Sequence, residues 1–409
     1  MYLTIHRGTH QIGGCITEIT TAATRIFIDF GAELPGPNGE VKPETLSIPG
    51  LTEGEPRCQG VFFTHIHGDH MGNLHRILPG IPLYMGRAAK AISLVLNRQL
   101  DTVMDRGKQL AALARAKTFT AGVSVPVGDI TVTPIWVDHS AFDAYMFLIE
   151  ADGVRVLHTG DFRGHGLHGA SLVRALRAYA KDVDWLVTEG TMLSRPDEQA
   201  RSEQELSEEA RKLLTENKRV FVLCSSTNID RIRAFCQANP DRRPIVCDLY
   251  QKKILDAVED NAPGWLKGYN FRSVIPATKG NHKLHNWMAE QGFLMFVRPN
   301  DHFRAVMEPY QGSCKVIYSM WNGYREGPMQ QAQIVKFLEG FEVIPLHTSG
   351  HVTPADLRRV YAGVHPRRGV IPMHTENPEG FRNIVPEEQL RFLRDGERLR
   401  LDETEISTG

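Results

Sequence analysis

The sequence predicts an α/β protein: a strand-rich first half with helices packed outside it, followed by a segment of doubly wound α/β texture. Three observations carry this. The opening segments alternate apolar and polar residues, the pattern changes to alternating helix and strand near Ser202, and several apolar strands end in residues of metal-ligand type.

In chain order, "LTIHR", "CITEIT" and "TRIFIDFG" have the period of two expected of strands, with Gly13, Gly14 and Gly31 as turn points, so the chain should open as a β-meander. The apolar "VFF" then runs into "THIHGDH". After it come "IPLYMG", a helix from about Ala88 to Ala116, and the strands "VSVPVG", "ITVTPIWVDHS", "YMFLIEADG" and "VRVLHTGDF". From Ser202 the chain reads helix, strand, helix, strand through apolar runs such as "FVLC" and "RPIVCDL", with Ser202 and Glu205 as a capping box. This texture continues through "GFLMFVRP" and "CKVIYSMW" to "FEVIPLHTSGH"; the helix "TPADLRRVYAGV" and the strand "GVIPMHTE" follow.

With 409 residues, 42% of them hydrophobic, the chain has room for two or three domains with proper cores. Its longest apolar runs fall far short of the ~18 residues of a membrane span, and "MYLTIHRG" has no signal-peptide pattern. A cytoplasmic protein without membrane partners is expected. Six scattered cysteines (Cys15, Cys58, Cys224, Cys236, Cys247, Cys314) form no CxxC pair and read as reduced thiols. A net charge of -1 gives no global basic field, so any polyanion site must be local.

"THIHGDH" places three histidines and an aspartate within six positions. On an extended strand His65 and His67 point to the same side, and Gly68 permits the turn that returns Asp69 and His70 toward them. The four side chains can then converge on two adjacent cations. Imidazole and carboxylate suit Zn2+, with Mn2+ as the alternative. Three later strands end in the same way, at His139, Asp161 and His374, and complete two metal sites. A shared ligand is best a carboxylate, which has two oxygens, and Asp161 is the natural candidate.

"HIHGDH", "DHS", "TGDF" and "PMH", in that order, resemble the successive motifs of the metallo-β-lactamase fold, a four-layer αβ/βα sandwich with a dinuclear metal site at one edge. The resemblance implies His65, His67 and His139 on one metal, Asp69, His70 and His374 on the other, and Asp161 between them. "LVTEGT", "FVLCSSTNIDRI", "HTSGH" and "IPMH" are further similar to the β-CASP nucleases, most of all ribonuclease J, over nearly the whole chain. In that family an acidic residue follows the bridging aspartate, here Glu189, and a histidine in a Ser-Gly-His turn, here His351, contacts the scissile phosphate. An inserted α/β domain clamps the nucleic acid. The domains expected are thus 1–197 and 346–409 for the metallo-β-lactamase part and 198–345 for the β-CASP insertion. The chain departs from the family in two places. The family's C-terminal domain, used in dimer contacts, has no counterpart, which leaves a homodimer open; and Thr375-Glu376 stands where Gly-Glu is usual after the last histidine.

Two cations lower the pKa of bound water from ~15.7 to about 7 and draw charge off a phosphoryl oxygen. Asp69 belongs with the catalytic groups as well as the ligands. His351, beside Gly350, suits donation to the leaving oxygen, against the alternative of a structural turn. Glu189 either orients an imidazole or caps a helix. Ser225, Ser226 and Asn228 either bind phosphate or cap the following helix; with Thr348, Ser349 and Gly350 they could hold a terminal 5′ phosphate. His158 reads as packed beside the site, His347 as a brace for the turn, and Trp321, Tyr324 and Arg325 as either a base-stacking group or core. The expected activity is hydrolysis of single-stranded RNA, as a 5′-3′ exonuclease, an endonuclease or both. A same-fold hydrolase of DNA or of a small phosphoester is the alternative, and a catalytically inactive scaffold of an RNA-processing complex is disfavoured because every ligand position is filled.

Overall fold

The computed structural model describes residues 1–36, 39–41, 43–195, 200–278 and 280–402. The chain divides into two compact units. One comprises Met1–Leu34, Pro43–Gln199 and Gly350–Gly409; the other comprises Pro35–Lys42 and Ala200–Ser349. The boundary expected between 197 and 198 lies outside the described residues.

The first unit opens with β1 (Tyr2–Arg7), β2 (Ile16–Thr20) and β3 (Arg25–Ile28), an antiparallel meander, followed by β4 (Gly60–Phe62), β5 (Leu83–Met85) and β6 (Lys117–Thr118), which add in parallel. A second sheet holds β7 (Val125–Val127), β8 (Ile130–Val137), β9 (Ala144–Ala151), β10 (Val154–His158) and β11 (Trp185–Glu189). In the other unit β12 (Arg219–Cys224), β13 (Ile245–Cys247), β14 (Val274–Pro276), β15 (Phe293–Val297), β16 (Lys315–Ser319) and β17 (Val343–Pro345) form one sheet, and all its pairings are parallel. Its helices Glu203–Glu216, Ile229–Ala238 and Leu249–Asn261 alternate with these strands, as doubly wound texture requires. The chain then returns to the first unit, where β18 (Gly369–Met373) joins β11 and β19 (Arg398–Arg400) joins β1.

The two sheets of the first unit face each other. Leu3, Ile5, Ile19, Ile26 and Phe62 meet Val132, Phe147, Val156, Val187 and Ile371 in one buried cluster. The opposite face of the second sheet, with Met146, Leu148, Leu157 and Leu186, is covered by Leu172 and Leu176 of one helix and Leu357, Val360 and Val364 of another. Because both faces are covered, "AYMFLIEA" is apolar almost throughout instead of alternating. The result is an α/β sandwich in which β8, β10, β11 and β18 run in the same direction and end at one edge.

The capping box at Ser202 and Glu205 is present in full. The helix expected over Ala88–Ala116 is instead two helices, Arg87–Leu100 and Gly107–Arg115. Between them Asp101 accepts from the Arg106 amide (2.7 Å) and Asp105 from the Gly107 amide (2.9 Å), so these side chains compete for N–H groups that a continuous helix would use. Among the described residues, no helix is long and apolar enough to cross a membrane.

Candidate metal centre

Several strands that end at this edge deliver a ligand-type side chain at or shortly beyond their last ladder residue. β4 ends at Phe62 and the chain stays tied to its neighbours up to Thr64, whose carbonyl accepts from the Tyr145 amide at 2.9 Å. His65 and His67 lie past the ladder, in an extended stretch capped by the short Gly68–Met71 helix, which turns Asp69 and His70 inward. β8 leads to His139, β10 to Asp161 and β18 to His374, while Glu189 closes β11.

Among the described residues the ligand-type side chains form four overlapping groups: Cys15, His70 and His374; Asp161, Glu189, His351 and His374; and two that match the expected metal positions. The ligand atoms of His65, His67 and His139 lie within 4.8 Å of one another, and so do those of Asp69, His70, Asp161 and His374. Asp161 reaches both: its Oδ2 is 3.8 Å from His65 Nε2, 3.9 Å from His139 Nε2 and 3.2 Å from His70 Nε2, and its Oδ1 is 3.5 Å from His374 Nδ1. His65 Nε2, His70 Nε2 and both Asp161 oxygens are buried without a hydrogen-bond partner. Orphaned polar atoms at such a density are costly unless a cation satisfies them. These donors, imidazole and carboxylate, suit Zn2+ or Mn2+.

Outer contacts set the tautomers. His139 Nδ1 donates to the Gly350 carbonyl at 2.6 Å, so its Nε2 lone pair points inward, 3.2 Å from His67 Nδ1. His70 Nδ1 lies 2.8 Å from Asp29 Oδ2, and Asp29 also accepts from the Thr64 amide and hydroxyl, each at 2.7 Å. His374 Nδ1 sits 2.9 Å from the Thr191 hydroxyl and its Nε2 3.2 Å from Asp69 Oδ2. Asp29 and His374 both have positive φ (61° and 49°), a strained conformation for residues with a side chain.

Burial, reinforced by neighbouring imidazoles, pushes His65 and His139 well below the usual histidine range, which keeps them in the neutral form a metal needs. Burial works against charge on His70 too, but Asp161, Cys15, Asp29 and Asp69 outweigh it and pull its pKa up. Glu189 accepts from the Phe162 amide at 2.9 Å and the Val352 amide at 3.4 Å, and its Oε2 lies 3.0 Å from His351 Nδ1. It therefore ties the turn after Asp161 to the turn that carries His351. Burial would lower His351, yet Glu189 and Asp161 prevail and push it up to about 9.

The remaining residues of interest divide between the units. Asn228 caps its helix through Arg231 N (3.3 Å), Ser225 and Thr227 share a hydroxyl contact at 3.1 Å, and the Ser226 carbonyl accepts from Gln251. Thr348 donates its hydroxyl to the Arg201 carbonyl at 2.5 Å, and Ser349 is buried. Ser225, Ser226, Asn228, Thr348 and Ser349 belong to the second unit and Gly350 to the first. His347 lies 3.4 Å from Arg231 Nη1, within a turn that Arg231 also ties at the Thr348 carbonyl. His158 is packed, its Nε2 against Thr17 Oγ1 and its Nδ1 accepting from the Gly160 amide. Trp321 and Tyr324 meet edge to face at 5.3 Å, with Arg325 over the Tyr318 ring. Thr375 is buried and donates to the Gly190 carbonyl, which fixes the chain just past His374. Sequence reasoning missed Asp29, Thr64 and Thr191 as supports; Asp29 was detectable as a further acidic residue at an apolar strand end.

A family model described as "Beta-lactamase superfamily domain" matches residues 24–223. Ribonuclease J of Sinorhizobium meliloti is 24% identical over 412 aligned residues, covering 92% of this chain and 69% of that protein. Ribonuclease J of Mycoplasma genitalium is 20% identical over 440, covering 98% and 73%. A crystal structure of a protein of unknown function from Enterococcus faecalis V583 shares the fold, with a TM-score of 0.75 at 23% identity, covering 97% of this chain and 99% of that one. Residues 24–223 thus match a β-lactamase superfamily domain, and the chain is similar to ribonuclease J over most of its length.

Proposed function

We propose that this chain is a metal-dependent phosphodiesterase of the β-CASP type that hydrolyses single-stranded RNA. The observation that carries the reading is Asp161, placed within 4 Å of side chains from both ligand groups while its own oxygens lack a hydrogen-bond partner. The ribonuclease J relatives support RNA as the substrate. His65, His67 and His139 would hold one divalent cation, Asp69, His70 and His374 the other, and Asp161 both, with Zn2+ first and Mn2+ second. When bound, the cations supply an activated water and a sink for charge on the phosphoryl oxygen.

The chain's own residues do the rest. Glu189 holds His351 at Nδ1 and favours its protonated form, so the ring is set to donate from Nε2. As the water oxygen gives up a proton to solvent and bonds to phosphorus, the bond from phosphorus to the ribose oxygen breaks, that oxygen leaves with the proton of His351, and solvent reprotonates His351. The unit containing residues 200–349 is read as the β-CASP insertion, and Ser225, Ser226, Asn228, Thr348 and Ser349 within it as the contacts for a terminal 5′ phosphate. The setting of this reaction is cytoplasmic.

Digestion of end-labelled single-stranded RNA and DNA, each with 5′ monophosphate, triphosphate or hydroxyl, tests the reading. Faster loss of the 5′-monophosphate RNA with release of mononucleotides is expected. Internal cuts at equal rates on all ends would favour an endonuclease and remove the terminal phosphate site; inactivity on every RNA and DNA would move the reading to a small phosphoester.

A further inference from the structure

Arg7 and Glu44 form a partly buried ion pair that touches none of the candidate ligands, yet it braces the backbone on which two of them stand. Arg7 ends β1 and is only 7% exposed. Its Nη1 and Nη2 donate to the two Glu44 oxygens at 3.1 and 2.8 Å, its Nε donates to the Gly14 carbonyl at 2.9 Å, and its Nη2 also reaches the Gly31 carbonyl at 2.7 Å. Asn73 completes the clasp, donating to Gly31 O (2.8 Å) and Glu44 Oε2 (2.5 Å). A lysine could not make this fork.

The two segments Arg7 grips are those that hold the ligand loop. The amides of Ala32, Cys15 and Phe30 donate to the carbonyls of Gly68, Asp69 and His70 at 2.9, 2.9 and 2.8 Å. The approach is so close that a Cβ on Gly31 would lie 1.7 Å from the Asp69 carbonyl oxygen. Asp69 and His70 therefore take their position from the turns at Gly14 and Gly31, and those turns take theirs from Arg7. His139 is delivered by another strand, and His65 is anchored through Thr64.

We propose that the Arg7–Glu44 pair is a positioning device for one half of the metal centre, setting the affinity of the Asp69, His70, His374 position and leaving that of the His65, His67, His139 position nearly untouched. The inference rests on the dinuclear reading above. The test titrates metal-free protein with Co2+ and with Zn2+ against a chromogenic chelator, for the unsubstituted chain, Arg7→Lys and Glu44→Gln, alongside hydrogen exchange of the Cys15 and Ala32 amides. The expected result is one of the two equivalents weakened by about tenfold, with the other within about twofold and faster exchange at both amides. Equal weakening of both equivalents, or two unchanged ones, would overturn the proposal. Should Arg7→Lys fail to fold, Glu44→Gln, which keeps the shape and loses the charge, decides alone. If the unsubstituted chain itself binds fewer than two equivalents, it is the dinuclear reading that fails.

Discussion

Replacing Glu203 by alanine isolates the buried pair that organises the second unit. Glu203 and Arg231 are both 0% exposed, joined through two contacts at 3.1 and 2.7 Å. Arg231 also donates to Ser319 Oγ at 2.6 Å and to the Thr348 carbonyl at 3.3 Å, and Ser319 in turn donates to the Leu346 carbonyl at 2.5 Å. The pair thus links the helix after β12 to the stretch that leads into the His351 turn. Without the carboxylate, the guanidinium stays buried among neutral acceptors, a loss of about 3–5 kcal/mol. At 1.4 kcal/mol per factor of ten, this corresponds to roughly 10²- to 10⁴-fold faster exchange of amides that open only when the unit unfolds. The β12 amides are the right probes, since that strand is paired on both sides. Hydrogen exchange read by mass spectrometry should show this acceleration for Glu203→Ala. The double variant Glu203→Leu with Arg231→Met should recover most of the protection, because apolar side chains of similar size leave no buried charge. Exchange of β12 within about threefold of the unsubstituted protein would refute the assignment of this pair as a main support of the unit.

Asp161→Ala should lower metal content at both positions, while His139→Ala should empty mainly one; elemental analysis separates the two outcomes, and equal occupancy in both variants would contradict the bridging role. His351→Ala should keep its metals and lose about 10²- to 10⁴-fold in turnover, as removal of a proton donor does; loss of metal instead would mean that the turn has been misassigned. Burial opposes the charge of Glu18, but hydrogen bonds to His6 and Arg25 prevail and hold its pKa at about 2. Its folded-state pKa is depressed, so its contribution, on the order of 3 kcal/mol, is present above the unfolded value of about 4.3 and disappears as pH falls toward 2. Glu18→Gln should therefore be less stable than the unsubstituted chain in urea at pH 7 and nearly equal to it near pH 2; a gap that persists at low pH would rule out the charged contacts as its source.

The clustering of the candidate ligands was legible because each motif is short and self-contained: an apolar run that must be a buried strand, then a side chain that burial alone would not favour at its end. The fold order was legible for the same reason, since period-two alternation, the capping box at Ser202 and the helix–strand rhythm after it are all local signals. Supports that join distant parts were not. Arg7 and Glu44 are separated by 37 positions and Glu203 and Arg231 by 28, and no periodicity announces either pair. Asp29 ends an apolar strand just as Asp161 nearly does, but no histidine stands beside it to mark its part in orienting His70. The break between residues 100 and 107 was missed because apolar spacing continues across it, whereas the competing hydrogen bonds of Asp101 and Asp105 depend on local geometry.

The most direct test of the account is the metal content of the protein purified without chelator and, separately, of metal-free protein reconstituted with Zn2+ or Mn2+. Two groups of donors, with Asp161 in one and within 4 Å of His65 and His139 of the other, predict about two divalent ions per chain. One ion or none, even after reconstitution, would contradict the dinuclear centre and the phosphodiesterase reading built on it.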